Sequence, residues 1–442
     1  LTALALAGVL SPSVARAQAL PPAPPVSLDA PAPALEEEAP VAESDAVQAL
    51  LEEQIRQNEA LAASRRSTVT LGGYVDVGFF APEGNGSGYR QDVLDPHPGY
   101  TWLFRGDILA PAVNARGEVA DLGDASGVDR YDAINSRGAP GFLVNELNLR
   151  LRAAPTPTAI LSASVNFAPR TGSSFSLGDT IDVDLAQLEW LPTESQRTSI
   201  FVGKIDSVIG IEYRDRKSDK RFGITPSLIA RYTTGPAVGL KVRSKFGADD
   251  WLTLAAAVTN GSNTVEPFFF YDETDSNAAK TVSGRVSVSP PLPFMLELGA
   301  SGSYGAQDRT TNTQHAMWFV GPDLLARFGA VDVKAQWLKG RAAGDPTQNV
   351  YSLDLHGGGY LEVDAMLTPS WGVMGRAEYR SADIALPPER IYVSRSWRGT
   401  LGARYVMTTW AALRAEYLHN GEYASGGDVP NDVFTSSLVL GY

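Results

Sequence analysis

The 442-residue chain has no cysteine and only four histidines, His97, His315, His356 and His419. Disulfides and thiol chemistry are therefore excluded, and too few ligands remain for a zinc site. Lys and Arg are outnumbered 37 to 50 by Asp and Glu, leaving a formal net charge of -13. No basic run is long enough to follow a phosphate backbone, so no nucleic-acid partner is expected. Beyond the extreme N-terminus there is no apolar stretch of the roughly 18 residues that a membrane helix needs. Mean hydropathy is slightly negative. Neither observation excludes a membrane strand, whose lipid-facing and lumen-facing residues average to a soluble-looking value. Catalytic signatures are missing too: no Gly-x-Ser-x-Gly elbow, no P-loop, no His-Glu-x-x-His and no Gly-x-Gly-x-x-Gly opening a helix. Neither an enzyme nor a cofactor is expected.

What is present is organised in sequence. Leu1 to Leu10 read as the apolar core of an export signal, and Ala15-Arg16-Ala17 as a small-x-small cleavage site before Gln18. Residues 1–17 are expected to be the remnant of that signal. Residues 18–42, rich in Pro and Ala and carrying Glu36-Glu37-Glu38, read as a linker with too little apolar surface to bury. Residues 43–66 contain no Gly or Pro, and Val47, Leu50, Leu51, Ile55 and Leu61 form a stripe, predicting a short periplasmic helix.

From Thr68 the periodicity becomes two. Leu147, Leu149 and Leu151 alternate with Glu146, Asn148, Arg150 and Arg152. Val238, Leu240 and Val242 alternate with Gly239, Lys241 and Arg243, and Leu401, Ala403 and Tyr405 with Thr400 and Arg404. These are strands with one strongly polar face. Short connections such as Pro155-Thr156-Pro157, Gly247-Ala248-Asp249 and Thr368-Pro369-Ser370 alternate with long polar ones: Ala81 to Pro140, Arg170 to Asp179, Asp206 to Gly235, Gly261 to Ala279, Gly305 to Thr313, Arg341 to Asn349, Ser381 to Val393 and Gly421 to Pro430. Transmembrane barrels have short periplasmic turns and long extracellular loops, whereas a soluble sandwich requires no such alternation. Residues 67–442 are therefore expected to form an all-β, antiparallel, up-and-down outer-membrane barrel of about sixteen strands. Trp318, Trp337, Trp371, Tyr379, Trp397, Tyr405 and Tyr417 fall on the expected lipid face, several near strand ends where amphipathic rings prefer to sit.

The final strand places Phe434, Leu438, Leu440 and Tyr442 on one face. It resembles the C-terminal signal read by the outer-membrane assembly machinery, which would then be a partner, along with outer-membrane lipids. The segment Gly203-Lys204-Ile205-Asp206-Ser207-Val208-Ile209-Gly210-Ile211-Glu212, followed by Pro226 to Tyr232 and Thr234 to Leu240, resembles the OmpL-like β-barrel porin family. In that family a strand ending in Gly-Lys runs into a loop of the form xxxxGxE. The resemblance implies an outer-membrane porin without fixing a solute, and analogy with sixteen-stranded porins suggests a homotrimer.

The expected function is a water-filled channel for passive diffusion of ions and small hydrophilic solutes. The alternative is a structural or adhesive barrel with a blocked lumen. A third reading, a rim enzyme built on His356 with Asp354, has no identifiable nucleophile. Arg or Lys facing lipid at the midplane would cost about 2–4 kcal/mol each, so the charged face must point inward. Barrel closure is expected to place Arg376, Arg380, Arg398, Arg404 and Arg414 on a wall shared with Arg150 and Arg152. The carboxylates Asp354, Glu362 and Asp364 are expected on the lumen face as well. The loop from Asp206 to Gly235, with Glu212, Asp215 and Asp219 among its basic residues, is expected to fold inward and form a constriction with this basic wall.

Overall fold

The computed structural model describes residues 68–82, 140–167, 181–193, 195–261, 276–308, 310–348, 350, 352–386, 389–422 and 432–441. The expected signal remnant, linker and helix lie outside the described residues. The strands are β1 (Thr68–Pro82), β2 (Gly141–Thr156), β3 (Ala159–Phe167), β4 (Ile181–Trp190), β5 (Thr198–Ile205), β6 (Ala237–Phe246), β7 (Leu252–Thr259) and β8 (Thr281–Val288). They continue as β9 (Met295–Ala306), β10 (Ala316–Phe328), β11 (Val331–Ala342), β12 (Ser352–Met366), β13 (Trp371–Leu386), β14 (Glu389–Thr408), β15 (Ala411–Glu422) and β16 (Val433–Gly441).

Each strand pairs antiparallel with its sequence neighbours, and β1 closes the barrel against β16, from Tyr74↔Gly441 to Pro82↔Val433. Closure removes every sheet edge, as an element spanning hydrocarbon requires. The alternation in sequence becomes an inside and an outside. Leu71 and Leu401 are 73% and 71% exposed on the outer wall, while Arg398 and Arg414 are buried inside. Such an apolar exterior around a charged interior is a soluble protein turned inside out, and lipid is the environment it suits. Aromatic residues cluster at strand ends, with Trp371 and Tyr405 in contact (centroids 4.6 Å apart) at the end of the short turns.

Two expectations about local structure are corrected. Ser381 to Val393 is not a long loop, because β13 and β14 run on as a paired hairpin to Leu386↔Glu389. Second, Asp354 does not face the lumen. The register of β12 slips between Leu355 and Gly357, so that Leu355 pairs with Ala382 and Gly357 with Ser381. The extra residue, His356, inverts the alternation. Leu353 and Leu355 are buried inside, whereas the exposed imidazole of His356 sits on the other face, 3.6 Å from Asp354 and 3.1 Å from Asp383. After the slip, Glu362 and Asp364 point inward as expected.

Candidate functional site

The connection between β5 and β6, residues 206–236, lies inside the barrel. Its own composition drives it there: Val208, Ile209, Ile211, Ile224, Ile229 and Tyr232 are each at most 4% exposed. An extracellular loop would leave them in water at a cost of about 1.5–3 kcal/mol per large side chain. Val208, Ile209, Ile229 and Tyr232 pack instead with inward-facing Met317, Phe319, Leu338, Leu353 and Leu355, with Tyr232 stacked on Phe319 at 5.7 Å. Gly210 has φ +67°, and a Cβ there would collide with the Gln336 side chain. Gln336 Oε1 accepts the Ile211 N–H at 3.0 Å, and Ser301 Oγ accepts that of Gly210 at 2.9 Å. The Gly-x-Glu stretch of the sequence is thus the point where the chain enters the bore and lies flat against β9 and β11.

The loop then crosses the lumen and is tied down on both sides. Arg214 donates both Nη groups to Glu297 at 2.8 Å. Arg216 bridges Asp184 and Asp206, and Lys217 pairs with Asp184 as well. Ser218 donates its N–H to Tyr74 Oη at 3.2 Å, and Tyr74 donates to Glu146 at 2.5 Å. Asp219 accepts two hydrogen bonds from Arg150, each 2.6 Å. On the return limb Glu416 accepts the Ile224 N–H at 2.5 Å, the Thr225 N–H at 3.1 Å and the Thr225 hydroxyl at 2.8 Å. A Cβ on Gly223 would strike that same carboxylate. Arg376 donates to Thr225 O at 2.9 Å and Arg398 to Pro226 O at 2.5 Å. Arg414 donates to Gly223 O at 2.6 Å, Ser218 O at 2.8 Å and Asp76 at 3.0 Å.

Within the loop, burial pushes the Glu212 carboxyl up, against the N–H and hydroxyl that Ser227 donates to it at 2.7 and 2.5 Å. Burial and the neighbouring Arg216 push Lys217 down. Arg216 is also opposed by burial, but Asp206 and Asp184 outweigh it and raise its pKa. These groups sit in a dehydrated network in which removing one partner of a buried pair costs about 3–5 kcal/mol.

The expected basic wall divides in two. Arg376, Arg398 and Arg414 are tethers for the loop. Arg376 and Arg398 both pair with Glu378, and Arg376 also with Glu362. Arg380 is buried opposite Gly358. Glu212 closes the loop on itself through Ser227. Asp215 and the pair Glu362 and Asp364 surround Lys334 at 2.9, 3.1 and 3.2 Å. Sequence reasoning did not single out Tyr74, Asp184, Glu297, Gln336 or Glu416 as partners of the loop. Their inward parity was readable, but their partners lie 32 to 192 positions away in sequence.

The other part of the wall lines an open recess of about 730 Å³ between β2, β1, β16, β15 and β14. Its lower rim is formed by the short turns at Thr156-Pro157 and Thr408-Thr409-Trp410, on the periplasmic side by the turn-length rule. Small inward residues on the intervening strands, Thr70, Gly72 and Ala412, leave the space, and the loop tip from Ser218 to Arg221 roofs it. Arg150, Arg152, Lys220, Arg221, Arg404 and Arg414 line it, with Asp219 as the one lining carboxylate among the described residues.

Residues 162–439, well over half of the chain, match the sequence profile of the family described as "Putative beta-barrel porin-2, OmpL-like". No curated protein sequence matches. Among solved structures, the outer membrane channel DcaP of Acinetobacter baumannii is similar, with 10% identity and a TM-score of 0.53 over 85% of this chain and 98% of that one. Salmonella typhi OmpF, in complex with daunomycin, is similar at 10% identity and a TM-score of 0.52, again over 85% and 98%. At these identities the likeness is one of fold.

Proposed function

We propose a passive channel for ions and small hydrophilic solutes, on the premise that the chain belongs to the beta-barrel porin-2, OmpL-like family. The observation that carries this reading is the interior itself. The described bore is lined with charged and polar side chains and narrowed by one loop, with an open recess beside that loop on the β14–β2 side. An apolar core would exclude water, whereas this lining favours it. In this reading the loop is the constriction. Arg152 and Arg404, which have no carboxylate partner among the described residues, bias the passing ions. Arg376, Arg398 and Arg414 shape the aperture indirectly by holding the loop.

One observation favours the second reading, a barrel with a blocked lumen: the loop is tethered on opposite sides, to β9 through Glu297 and to β1 through Tyr74. Planar-bilayer recording of the purified protein separates the two. Discrete conductance steps are expected, and a silent bilayer with correctly folded protein would establish the blocked barrel instead. Where steps are seen, Arg152→Glu with Arg404→Glu should shift the reversal potential in a salt gradient toward cations. An unchanged potential would remove these residues from the selectivity mechanism. We further propose a homotrimer in the outer membrane, assembled by machinery that engages β16, with mass in detergent as the check on oligomeric state.

A further inference from the structure

We infer that the periplasmic recess is a docking site for small anions bearing phosphate or carboxylate groups. This rests on the reading of the lumen as water-accessible from the periplasmic side. The first argument is charge. Among the described residues six cations line the recess against the single carboxylate of Asp219, which is already engaged by Arg150 at 2.6 Å. Arg414 is paired with Asp76 and donates to backbone carbonyls, and Arg221 donates to Ile224 O and Arg216 O. Arg152, Lys220 and Arg404 are left, and among the described residues none of them has a carboxylate partner.

The second argument is the placement of Arg404. It stands directly opposite Arg414 in the β14–β15 register. Like charges in that relation repel unless an anion lies between or beside them. Its guanidinium stacks over Phe222 at 5.7 Å, which holds it in place without neutralising it. Its Nε is buried with no hydrogen-bond acceptor among the described residues, an orphaned donor on the wall of a cavity. The third argument is size. At about 730 Å³ the recess falls within the range of small-molecule sites, far larger than a chloride ion needs. Guanidinium forks suit the paired oxygens of phosphates and carboxylates.

The test is direct binding of inorganic pyrophosphate, and separately of citrate, to the full-length protein in detergent by titration calorimetry. Bilayer recordings of the same preparation run in parallel. Binding that weakens at high salt is expected, with affinity about tenfold lower in Arg404→Gln/Lys220→Gln. Arg152→Gln alone should weaken it less. Arg327→Gln, whose side chain pairs with Asp332 at 2.6 Å outside the recess, should leave it unchanged. Heat-modifiable migration in gels verifies that each variant is folded. Absence of binding to folded wild-type protein, or equal affinity in all variants, overturns the site. Binding to wild type with the expected loss in the double variant, together with a silent bilayer, supports the site and overturns the open channel. A preference for pyrophosphate over citrate, or the reverse, assigns the oxyanion class.

Discussion

Arg398 and Arg404 lie on the same strand and point into the same lumen, yet their surroundings are opposite. Arg398 is 2% exposed, shares Glu378 with Arg376 and donates to a loop carbonyl. Arg404 is partly open, faces another arginine across the sheet and has only an aromatic ring beneath it. The contrast extends to the two sides of the bore. On the β9–β13 side, apolar packing and saturated ion pairs clamp the loop. On the β14–β2 side, small residues beneath the loop tip leave a basic recess. An inward-facing arginine is therefore a tether or a ligand-facing cation according to whether a carboxylate and the loop reach it. Strand parity alone does not distinguish these cases.

The largest expected effect comes from removing the loop that creates the difference. Joining Ile205 to Ala237 through a short Gly-Ser linker should leave a heat-modifiable barrel whose single-channel conductance is severalfold larger. Conductance equal to that of the intact chain would show that the bore is limited elsewhere. A smaller change sharpens the comparison between the two kinds of cation. Asp76→Ala strips Arg414 of its buried carboxylate and should cost about 3–5 kcal/mol in urea unfolding from lipid vesicles. Arg152→Ala, with no partner to orphan, should stay within about 0.5 kcal/mol of wild type. Equal losses would erase the distinction.

The smallest effect is outside the bore. Asp345, between β11 and β12, accepts the hydroxyls of Thr347 and Thr310 at 2.5 and 2.7 Å, and these donors hold its carboxyl down at about 2. For a depressed carboxylate the stabilisation is complete above the ordinary value of 3.8 and disappears as pH falls through about 2. Exchange protection of the Val350 amide, bonded to Asp345 O at 2.9 Å, should therefore be constant from neutral pH down to mildly acidic pH. It should decline only below that ordinary value. A decline already well above 3.8 would remove the Asp345 carboxylate as the controlling group.

Much of this architecture was legible in the chain, because it follows from one local rule. Period-two alternation set which residues face lipid, and the cost of a charge in hydrocarbon decided which face is inside. Alternating connection lengths set the strand count and put both barrel ends on the side of the short turns. Even the inward turn of residues 206–236 was foreshadowed by an extracellular connection that returns near a Gly and carries both signs of charge. The misplaced residues mark where that local rule breaks. A single extra residue at His356 moved Asp354 outside, and the hairpin beyond Ser381 continued through an apparent loop, since register slips and strand ends are set by pairing partners rather than by pattern.

By itself the sequence determined a closed barrel with an apolar exterior and a charged interior, since those properties depend only on each residue's immediate neighbours and its transfer energy. The tertiary structure alone decided which charges cancel. Asp76 meets Arg414, Asp184 meets Arg216 and Glu416 meets Thr225 only because closure of the sheet and entry of the loop bring distant strands within hydrogen-bonding range. What remains uncancelled after that pairing, at Arg152, Lys220 and Arg404, is the charge left for solutes to meet.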